Sequence, residues 1–210
     1  MSFEDSNKVY SFLSRFYDLF DLIFLLGSKG NPRSGLLEAL SDTQPRILDV
    51  CVGTAASSIR VATHYKQSQI CGIDISDAML SVAQRKLTQK KLTNIELKNM
   101  SADAMKFSDN SFDAIMVSFA LHEFENELRE MIFKEISRVL KPGGKFCVID
   151  FARQDNRSNQ AFMKVWTLIE PPCFSAFLEL DWHKLFDAYG LRYESEKEFS
   201  FSKLYVLRKA

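Results

Sequence analysis

Short apolar runs alternate with longer amphipathic segments along most of the chain. Apolar residues recur at spacings of three and four over residues 54–65, 76–90 and 125–140, which predicts three helices. The intervening runs are rich in β-branched residues, as is typical of strands buried on both faces of a parallel sheet. These runs are RILDVCV (46–52), QICGIDI (69–75), NIELKNM (94–100), FDAIMVSFA (112–120) and KFCVIDF (145–151). The alternation predicts an α/β fold with a mostly parallel sheet and helices on both faces.

The carboxyl-terminal third departs from this pattern. KPGG (141–144) combines a proline with two glycines and predicts a turn between the third helix and the fifth strand. WHKLFDAYG (182–190) predicts a last helix, and the polar–apolar alternation of residues 192–199 and 202–209 predicts a closing antiparallel hairpin. The complete prediction is a Rossmann-like, seven-stranded, mostly parallel sheet with this hairpin at its carboxyl-terminal end.

A length of 210 residues fits one domain with an appended segment. We expect residues 45–210 to form the ligand-binding domain and residues 1–44 to form a helical lid. Within that lid, apolar spacing predicts a helix over 7–26, and SGLLEALSD (34–42) predicts a short second helix. Residues 152–181 break the alternation, and we expect them to form an insertion that covers the substrate.

The charge balance argues against a nucleic-acid partner. Lys and Arg together number 27, and Asp and Glu also number 27. No basic excess is therefore available to neutralise a phosphate backbone.

The amino-terminal residues predict a cytoplasmic protein. MSFEDSNKVY is polar and partly acidic, unlike a signal peptide. The apolar run LFDLIFLLG (19–27) is interrupted by Asp21 and is too short to span a bilayer, so stable membrane insertion is not expected. Peripheral contact through an interfacial helix stays open. The four cysteines form no CxxC pair and match no zinc site, so we predict reduced thiols and no metal.

Ligands of open α/β sheets bind beyond the carboxyl ends of the strands. Asp74 ends the second predicted strand, where a carboxylate can accept hydrogen bonds from both ribose hydroxyls. Its alternative role is to cap the helix that begins at Ser76. Asp103 follows the third strand and is either an acceptor for an adenine amino group or a solvated loop residue.

The loop DVCVGTA (49–55) follows the first strand and holds a single glycine, Gly53. A dinucleotide site with the pattern G-x-G-x-x-G needs glycines for close approach to a pyrophosphate. One glycine with small neighbours, Cys51 and Ala55, suits a ligand that carries adenosine without phosphates. Asp49 could hold the turn by accepting from loop amides, or it could bind a ligand ammonium group.

Four sequence blocks resemble the motifs of class I S-adenosylmethionine-dependent methyltransferases, including types 11 and 25. They are ILDVCVGTA, ICGIDISDAML, SADAMKFSDNSFDAIMVSFALHEF and RVLKPGGKFCVIDF, in that order. RFYDLFDLIFLLG (15–27) also resembles the YD-containing helix of the UbiE/COQ5-like quinone C-methyltransferases. The family pattern departs at Cys51 and Ala55, where glycines are usual.

The resemblance implies S-adenosyl-L-methionine as cofactor and S-adenosyl-L-homocysteine as product. Asp49 and Gly53 would contact the methionine moiety, and Asp74 the ribose. Ile75 and Met79 would sandwich the adenine. The implied cofactor-binding residues are Asp49, Cys51, Gly53, Asp74, Ile75, Met79, Ala102, Asp103, Ala104, Ser118 and Phe119.

Two residues are candidates for catalysis. His122 follows the fourth strand and is a candidate general base, because imidazole titrates near neutral pH. Its alternative is a histidine at a helix entry that bonds to the backbone. Tyr17 of the first predicted helix either covers the donor methyl group or packs in the core. Glu123 beside His122 either orients the imidazole or faces water, and we expect it to face water.

The insertion at 152–181 carries candidate acceptor contacts. Arg153 and Trp166 could reach the acceptor from there. Its aromatic residues could also belong to the ordinary core, and we expect this of at least two among Phe162, Trp166, Phe174 and Phe177.

We expect a methyltransferase that acts on a small, apolar or aromatic acceptor, as a monomer or homodimer. Two other readings stay open. One is a dinucleotide oxidoreductase of the NAD type on the same architecture, and the other is a non-catalytic cofactor-binding protein. An RNA or protein methyltransferase would need a basic surface patch, which the sequence does not place.

Overall fold

The computed structural model describes residues 30–41, 45–153, 160, 163–164, 167–168 and 170–210. Its helices are α1 (Pro32–Ala39), α2 (Ala56–His64), α3 (Asp77–Lys90), α4 (Asn126–Val139), α5 (Cys173–Leu178) and α6 (Trp182–Ala188), with a 3₁₀ turn at Leu121–Glu123. Its strands are β1 (Arg46–Val50), β2 (Gln69–Asp74), β3 (Ile95–Asn99), β4 (Phe112–Ser118), β5 (Leu140–Phe151), β6 (Leu191–Glu198) and β7 (Ser202–Lys209). The helix predicted over residues 7–26 lies outside the described residues.

The strands of the described chain form one sheet in the order β3-β2-β1-β4-β5-β7-β6. β1 pairs in parallel with β2 and β4, so that Ile47 lies between Ile70 and Ala114. The first five strands are parallel, and β7 is antiparallel to both β5 and β6. The predicted seven-stranded sheet and its closing hairpin are therefore confirmed. The strand order reverses between β1 and β4, which opens a crevice at their carboxyl ends.

The sheet is covered on both faces, as predicted. Leu48 and Val50 of β1 are fully buried and share a cluster with residues of α4 and α6. Ile47 points to the opposite face and clusters with residues of α1 and α2. Because both faces of β1 are buried beyond its first residue, its sequence is apolar apart from the exposed Arg46 at its start and Asp49.

Helix α1 belongs to this core. Leu36 is fully buried and shares a cluster with Ile47 of β1 and Val206 of β7. Part of the segment predicted to be a lid therefore packs on the sheet. The division at residue 44 stays a prediction, because residues 1–29 lie outside the described part of the chain.

The turn predicted at KPGG (141–144) is the main correction to the fold. Strand β5 begins at Leu140, opposite Phe112, and runs through these residues. The register shifts before Ala114 pairs with Lys145, so the extra residues form an irregularity within the strand. Glycine is required at position 144, since an added Cβ would lie 2.8 Å from the carbonyl oxygen of Lys141. Residues 141–144 therefore form an irregularity inside β5 and not the predicted turn before it.

Helix α5 was not predicted, because it is short and lies in a segment with little periodicity. Phe174 and Phe177 in this helix are fully buried in the cluster beneath α4 and α6. This confirms that at least two aromatic residues of the 152–181 segment are core residues. Phe162 and Trp166 lie outside the described residues.

Among the described residues, no helix combines the length and the apolar character needed to cross a membrane.

Candidate active site

A cavity of about 240 Å³ opens at the carboxyl ends of β1, β2 and β4. It lies at the reversal of strand order, where open α/β sheets bind their ligands. Its walls are the β1–α2 loop, the starts of α1 and α3, the loops after β3 and β4, and one face of α4. The lining residues are Arg33, Asp49, Cys51, Val52, Gly53, Thr54, Ala56, Ser57, Asp74, Ile75, Ser76, Met79, Ser101, Ala102, Asp103, Ser118, Phe119, Ala120, Glu123, Phe124, Leu128 and Ile132.

The β1–α2 loop forms a tight left-handed turn. Cys51, Gly53 and Ala55 have φ angles of 57°, 52° and 62°. Only glycine adopts this region without steric cost. The structure therefore explains why glycine is usual at positions 51 and 55, and it shows that Cys51 and Ala55 keep the same backbone turn under strain. Strained backbone is often found at binding sites.

The Cys51 side chain forms part of the cavity wall. Burial raises the pKa of its thiol well above the ordinary value, and nearby carboxylates, with Asp74 foremost, raise it further. The thiol is therefore protonated at neutral pH and is not a nucleophile. It serves as a small wall residue in a position suited to a glycine.

Asp74 holds two backbone amides at the edge of the cavity, while its predicted contact with a ribose stays a prediction. Its Oδ2 accepts from the Gly53 amide at 2.8 Å, and its Oδ1 accepts from the Ser76 amide at 2.9 Å. Ser76 is the N-cap of α3, with its hydroxyl accepting from the Met79 amide. The carboxylate thus fixes the loop and the helix start, and it also lines the cavity. Each oxygen has a further lone pair for a ligand hydroxyl.

Asp49 is buried beneath the loop, where Ser58 Oγ donates to its Oδ2 at 2.6 Å. Burial raises the pKa of Asp49 to about 7, although the bond from Ser58 and the positive charge of Arg33 oppose the shift. A buried carboxyl of this kind gains most from a cation, such as a ligand ammonium group.

Apolar and polar groups meet at the β2–β3 side of the cavity. Ile75 is 49% exposed, which is unusual for a large aliphatic side chain, whereas Met79 is 5% exposed. Ala102 and Asp103 line the cavity beside them, and Ser101 Oγ donates to Asp103 Oδ1. Ala104 is exposed and does not line the cavity.

Ser118 and Phe119 form the β4 wall. Ser57 of α2 donates to Ser118 Oγ at 2.9 Å. Phe119 has a φ of 53°, and its amide donates to the Ile149 carbonyl at 2.7 Å. The left-handed backbone at Phe119 adds a further strained residue to the site.

Sequence reasoning missed two charged residues of the cavity. Arg33 lies at the start of α1 and does not follow any strand in the sequence. It becomes part of the site only because α1 packs on the sheet. Glu123 was predicted to face water, but it lines the cavity from the 3₁₀ turn after β4. The helix was predicted to begin at residue 34, and the signal for its earlier start is Asn31 followed by Pro32, which suit an N-cap and a first helical position.

His122 lies beside the cavity and is not among its lining residues. Its Nδ1 is 2.7 Å from Asp150 Oδ1, and its Nε2 is 3.8 Å from Glu170 Oε2. The ring also packs edge-on against Phe151 and Phe174. Burial alone lowers the pKa of His122, but the charge of Asp150, with smaller effects from Glu123 and Glu170, raises it to about 9. The imidazole is therefore protonated at neutral pH.

The remaining candidates are placed as follows. Tyr17 and Trp166 lie outside the described residues, so their roles stay predictions. Arg153 is exposed, and its Nη1 donates to Glu179 at 3.0 Å on the surface.

The strand order and this cavity define the class I S-adenosylmethionine-dependent methyltransferase fold. A sequence profile of the ubiE/COQ5 methyltransferase family matches residues 3–199. The chain belongs to this family.

Two demethylmenaquinone methyltransferases are similar to part of this chain. A demethylmenaquinone methyltransferase of Listeria welshimeri is 31% identical over 160 residues, which cover 75% of this chain and 65% of the relative. A demethylmenaquinone methyltransferase of Bacillus cereus is 33% identical over 114 residues, covering 53% of this chain and 47% of the relative. The matched part thus spans less than two thirds of either relative.

Solved structures share the fold at low sequence identity. A SAM-dependent methyltransferase from Aquifex aeolicus has a TM-score of 0.68 and 18% identity, covering 85% of this chain and 90% of that chain. The [4+2]-cyclase SpnF has a TM-score of 0.74 and 18% identity, covering 97% and 96%. At such identities the likeness concerns the fold alone.

Proposed function

We propose that this protein is an S-adenosylmethionine-dependent methyltransferase that acts on a small, apolar or aromatic acceptor. The charge of the cavity is the observation that carries the proposal. Among the described lining residues, the acidic ones are Asp49, Asp74, Asp103 and Glu123, and the only cation is Arg33. Two like charges about 6 Å apart repel by roughly 3 kcal/mol at an effective dielectric constant of 20. Such a cavity favours a sulfonium and an ammonium, and it disfavours the pyrophosphate of NAD.

The shape of the cavity supports the same ligand. Asp74 has lone pairs left for the two ribose hydroxyls after it has bound the loop. Ile75 and Met79 offer apolar surfaces on which an adenine ring could pack, and Asp103 offers an acceptor for its amino group. The exposed Ile75 is accounted for if an adenine covers it.

When bound, the cofactor would supply a methyl group on a sulfonium. The acceptor would take the methyl group by in-line displacement, and S-adenosylhomocysteine would leave as the thioether. The protein's part is to align the two reactants and to exclude water. Phe119, Phe124 and Leu128 line the cavity and provide apolar walls for that purpose. His122 is the candidate base for an acceptor that loses a proton. A histidine must be neutral to act as a base, and the raised pKa keeps His122 protonated at neutral pH.

The choice of acceptor follows from the relatives. Several are named demethylmenaquinone methyltransferases, and that name agrees with the apolar, aromatic acceptor expected from the sequence. A demethylated menaquinone is therefore the first acceptor to assay. Because SpnF is named as a cyclase on the same fold, methyl transfer has to be measured directly.

Binding is tested by thermal unfolding. We expect saturating S-adenosylhomocysteine to raise the melting temperature by roughly 5–10 °C, since a ligand at 100 times its Kd contributes about 2.7 kcal/mol. NAD at the same concentration should leave it unchanged. Asp74→Asn should weaken this binding at least tenfold, whereas Asp77→Asn, an exposed acid at the start of α3, should not.

Transfer is tested with methyl-labelled S-adenosylmethionine and a demethylated menaquinone. The proposal is supported if the parent protein transfers label to the quinone, recovered in the organic phase, and the Asp74→Asn variant does not. Stabilisation by NAD and not by S-adenosylhomocysteine would overturn it in favour of the oxidoreductase. Binding of the cofactor without transfer to any acceptor of a broad panel would favour a non-catalytic protein.

A further inference from the structure

The loop between β3 and β4 carries part of the cavity wall. Ala102 and Asp103 line the cavity, and both belong to residues 100–111, which form neither a helix nor a strand. This connection is longer than most loops of α/β domains, and no repeating pattern of hydrogen bonds sets its path. Contacts with another element must therefore keep these two residues at the cavity.

Glu135 and Arg138 of α4 hold this loop mainly by its backbone. Glu135 Oε2 accepts from the Met105 amide at 2.6 Å. Arg138 Nη2 donates to the Met105 carbonyl at 2.8 Å, and Nη1 donates to the Phe107 carbonyl at 2.7 Å. Nη1 also donates to Asp109 Oδ1 at 2.7 Å. The two side chains thus fix the loop at three alternate residues.

Glu135 and Arg138 also fix one another. Arg138 Nε and Nη2 donate to the two carboxylate oxygens of Glu135 at 2.7 Å and 2.8 Å. Together with the bonds to the loop, this gives every N–H group of the guanidinium a partner. The hydrogen bond from Arg138 lowers the pKa of Glu135, so the carboxylate is ionised at neutral pH. A charged, bidentate pair keeps both side chains in one orientation.

The loop is anchored close to Asp103. The Met105 side chain is 5% exposed and belongs to the same buried cluster as Ile136 of α4. Only Ala104 separates this anchored residue from Asp103. On the other side, Ser101 Oγ donates to the Asp103 carboxylate. A shift of the loop at Met105 would therefore move the carboxylate away from its place in the cavity wall.

We propose that Glu135 and Arg138 are positioning residues for recognition of the ligand's base, because they keep Asp103 at the cavity wall. This inference rests on the proposed function, in which Asp103 accepts from the adenine amino group. Neither Glu135 nor Arg138 lines the cavity, so both act through the loop. Their loss should weaken the selection of the base and leave the contacts that Asp74 offers to a ribose in place.

The test compares two ligands by calorimetry on the full chain. One is S-adenosylhomocysteine, and the other is S-inosylhomocysteine, whose base carries a carbonyl oxygen where adenine has its amino group. We expect the parent protein to bind the adenosyl ligand about 10- to 100-fold more tightly, because a carboxylate accepts from an amino group and repels a carbonyl oxygen. Arg138→Gln should reduce this preference by about tenfold, through weaker binding of the adenosyl ligand alone.

Glu135→Gln is the milder variant, and Lys134→Gln is the matched control. Glutamine at position 135 can still accept from the Met105 amide but loses the ion pair, so the preference should fall by about threefold. Lys134 is exposed on the same helix and makes none of the bonds that hold the loop. Its substitution removes one positive charge, as Arg138→Gln does, and should leave the preference unchanged.

A merely structural role for the pair predicts a different result. Arg138→Gln would then lower the melting temperature but keep the preference, and that outcome would overturn the inference. If Arg138→Gln does not fold, an unchanged preference in Glu135→Gln overturns it as well. A parent protein that binds both ligands equally refutes the inference and leaves the cofactor assignment standing. A parent protein that binds neither ligand overturns the proposed function, and this inference with it.

Discussion

At the scale of single residues, the most unusual feature is the buried carboxyl of Asp49. Apart from Arg46 at its start, the other residues of its strand are apolar, and Ser58 donates a side-chain hydrogen bond to it. Burial raises its pKa from 3.8 to about 7. Without a ligand, the ionised carboxylate therefore destabilises the fold. Binding sites commonly hold groups that lower stability and are compensated by the ligand.

Asp49→Asn should make the protein more stable and the site weaker. Because the folded-state pKa is raised, the protonated carboxyl contributes stability below about pH 4, and this is lost as the pH rises to about 7. At pH 8, the variant should have a free energy of unfolding about 1–2 kcal/mol above that of the parent protein. It should bind S-adenosylhomocysteine about tenfold more weakly.

Urea denaturation at pH 4, 5.5, 7 and 8 measures this effect, with Asp77→Asn as an exposed control. Over pH 4 to 7, Asp49→Asn should gain stability relative to the parent protein and to the control. If the free energy of unfolding of Asp49→Asn varied with pH as that of the parent protein does, the raised pKa of Asp49 would be refuted.

At the scale of elements, left-handed residues decide where helices begin and end. Ala55 precedes α2 at a φ of 62°, and Lys91 ends α3 at a φ of 53°. Ala55 belongs to the candidate site, whereas Lys91 is exposed on a surface away from the cavity. The strain at Lys91 therefore has no relation to the site and can be removed.

Lys91→Gly should stabilise the protein. Glycine adopts the left-handed cap without steric cost, and a gain of about 0.5–1 kcal/mol is expected, which corresponds to roughly 1–4 °C in melting temperature. Lys90→Gly is the matched control, because Lys90 is the last helical residue of α3 and glycine there should cost about 0.5–1 kcal/mol. Thermal unfolding of both variants measures the difference. Equal effects of the two substitutions would show that the cap conformation is not the cause.

The elements also show how far the pattern of the chain could be interpreted. The five parallel strands and the hairpin were predicted because each is a short, distinctive run of apolar or alternating residues. KPGG was misjudged because the same residues form turns and strand irregularities, and only the pairing of Leu140 with Phe112 distinguishes the two. Helix α5 has too few residues for a helical period to stand out.

At the scale of the whole molecule, a buried charged cluster joins distant segments. His122 follows β4, Asp150 lies near the end of β5, and Glu170 precedes α5. Asp150 also accepts from the Leu121 amide at 2.9 Å, so it fixes the turn that carries the histidine. The cluster holds the carboxyl ends of two central strands against the segment that leads to α5.

This cluster should make stability depend on alkaline pH. The folded-state pKa of His122 is raised to about 9, so its contribution is full below about pH 6.5 and is lost as the pH rises through 9. Glu170→Gln removes one of the charges that raise this pKa, and the loss should then be smaller and complete at lower pH. Denaturation between pH 6 and 10, together with NMR titration of the His122 ring, measures both changes.

A double variant, His122→Gln with Asp150→Asn, serves as the control, because removing the histidine alone leaves a buried carboxylate without its cation. It should lose the alkaline slope altogether. A His122 ring that titrates near its ordinary pKa in the parent protein would contradict the prediction.

The sequence by itself determined the class of fold, the residues that follow each parallel strand and, through them, most of the cavity wall. Strand ends can be located from apolar runs, and the residues after them meet at one edge of a parallel sheet. For this reason the sequence could single out Asp49, Gly53, Asp74 and Ser118, which all line the cavity.

Only the tertiary structure decided which charges reach that cavity. Arg33 precedes the first strand, and its inclusion depends on how α1 packs across the sheet. His122 and Glu123 are neighbours in sequence, yet one is turned into the core beside Asp150 and the other toward the cavity. Their directions follow from a single 3₁₀ turn, and from its contacts with α5 and β5, which no local pattern specifies.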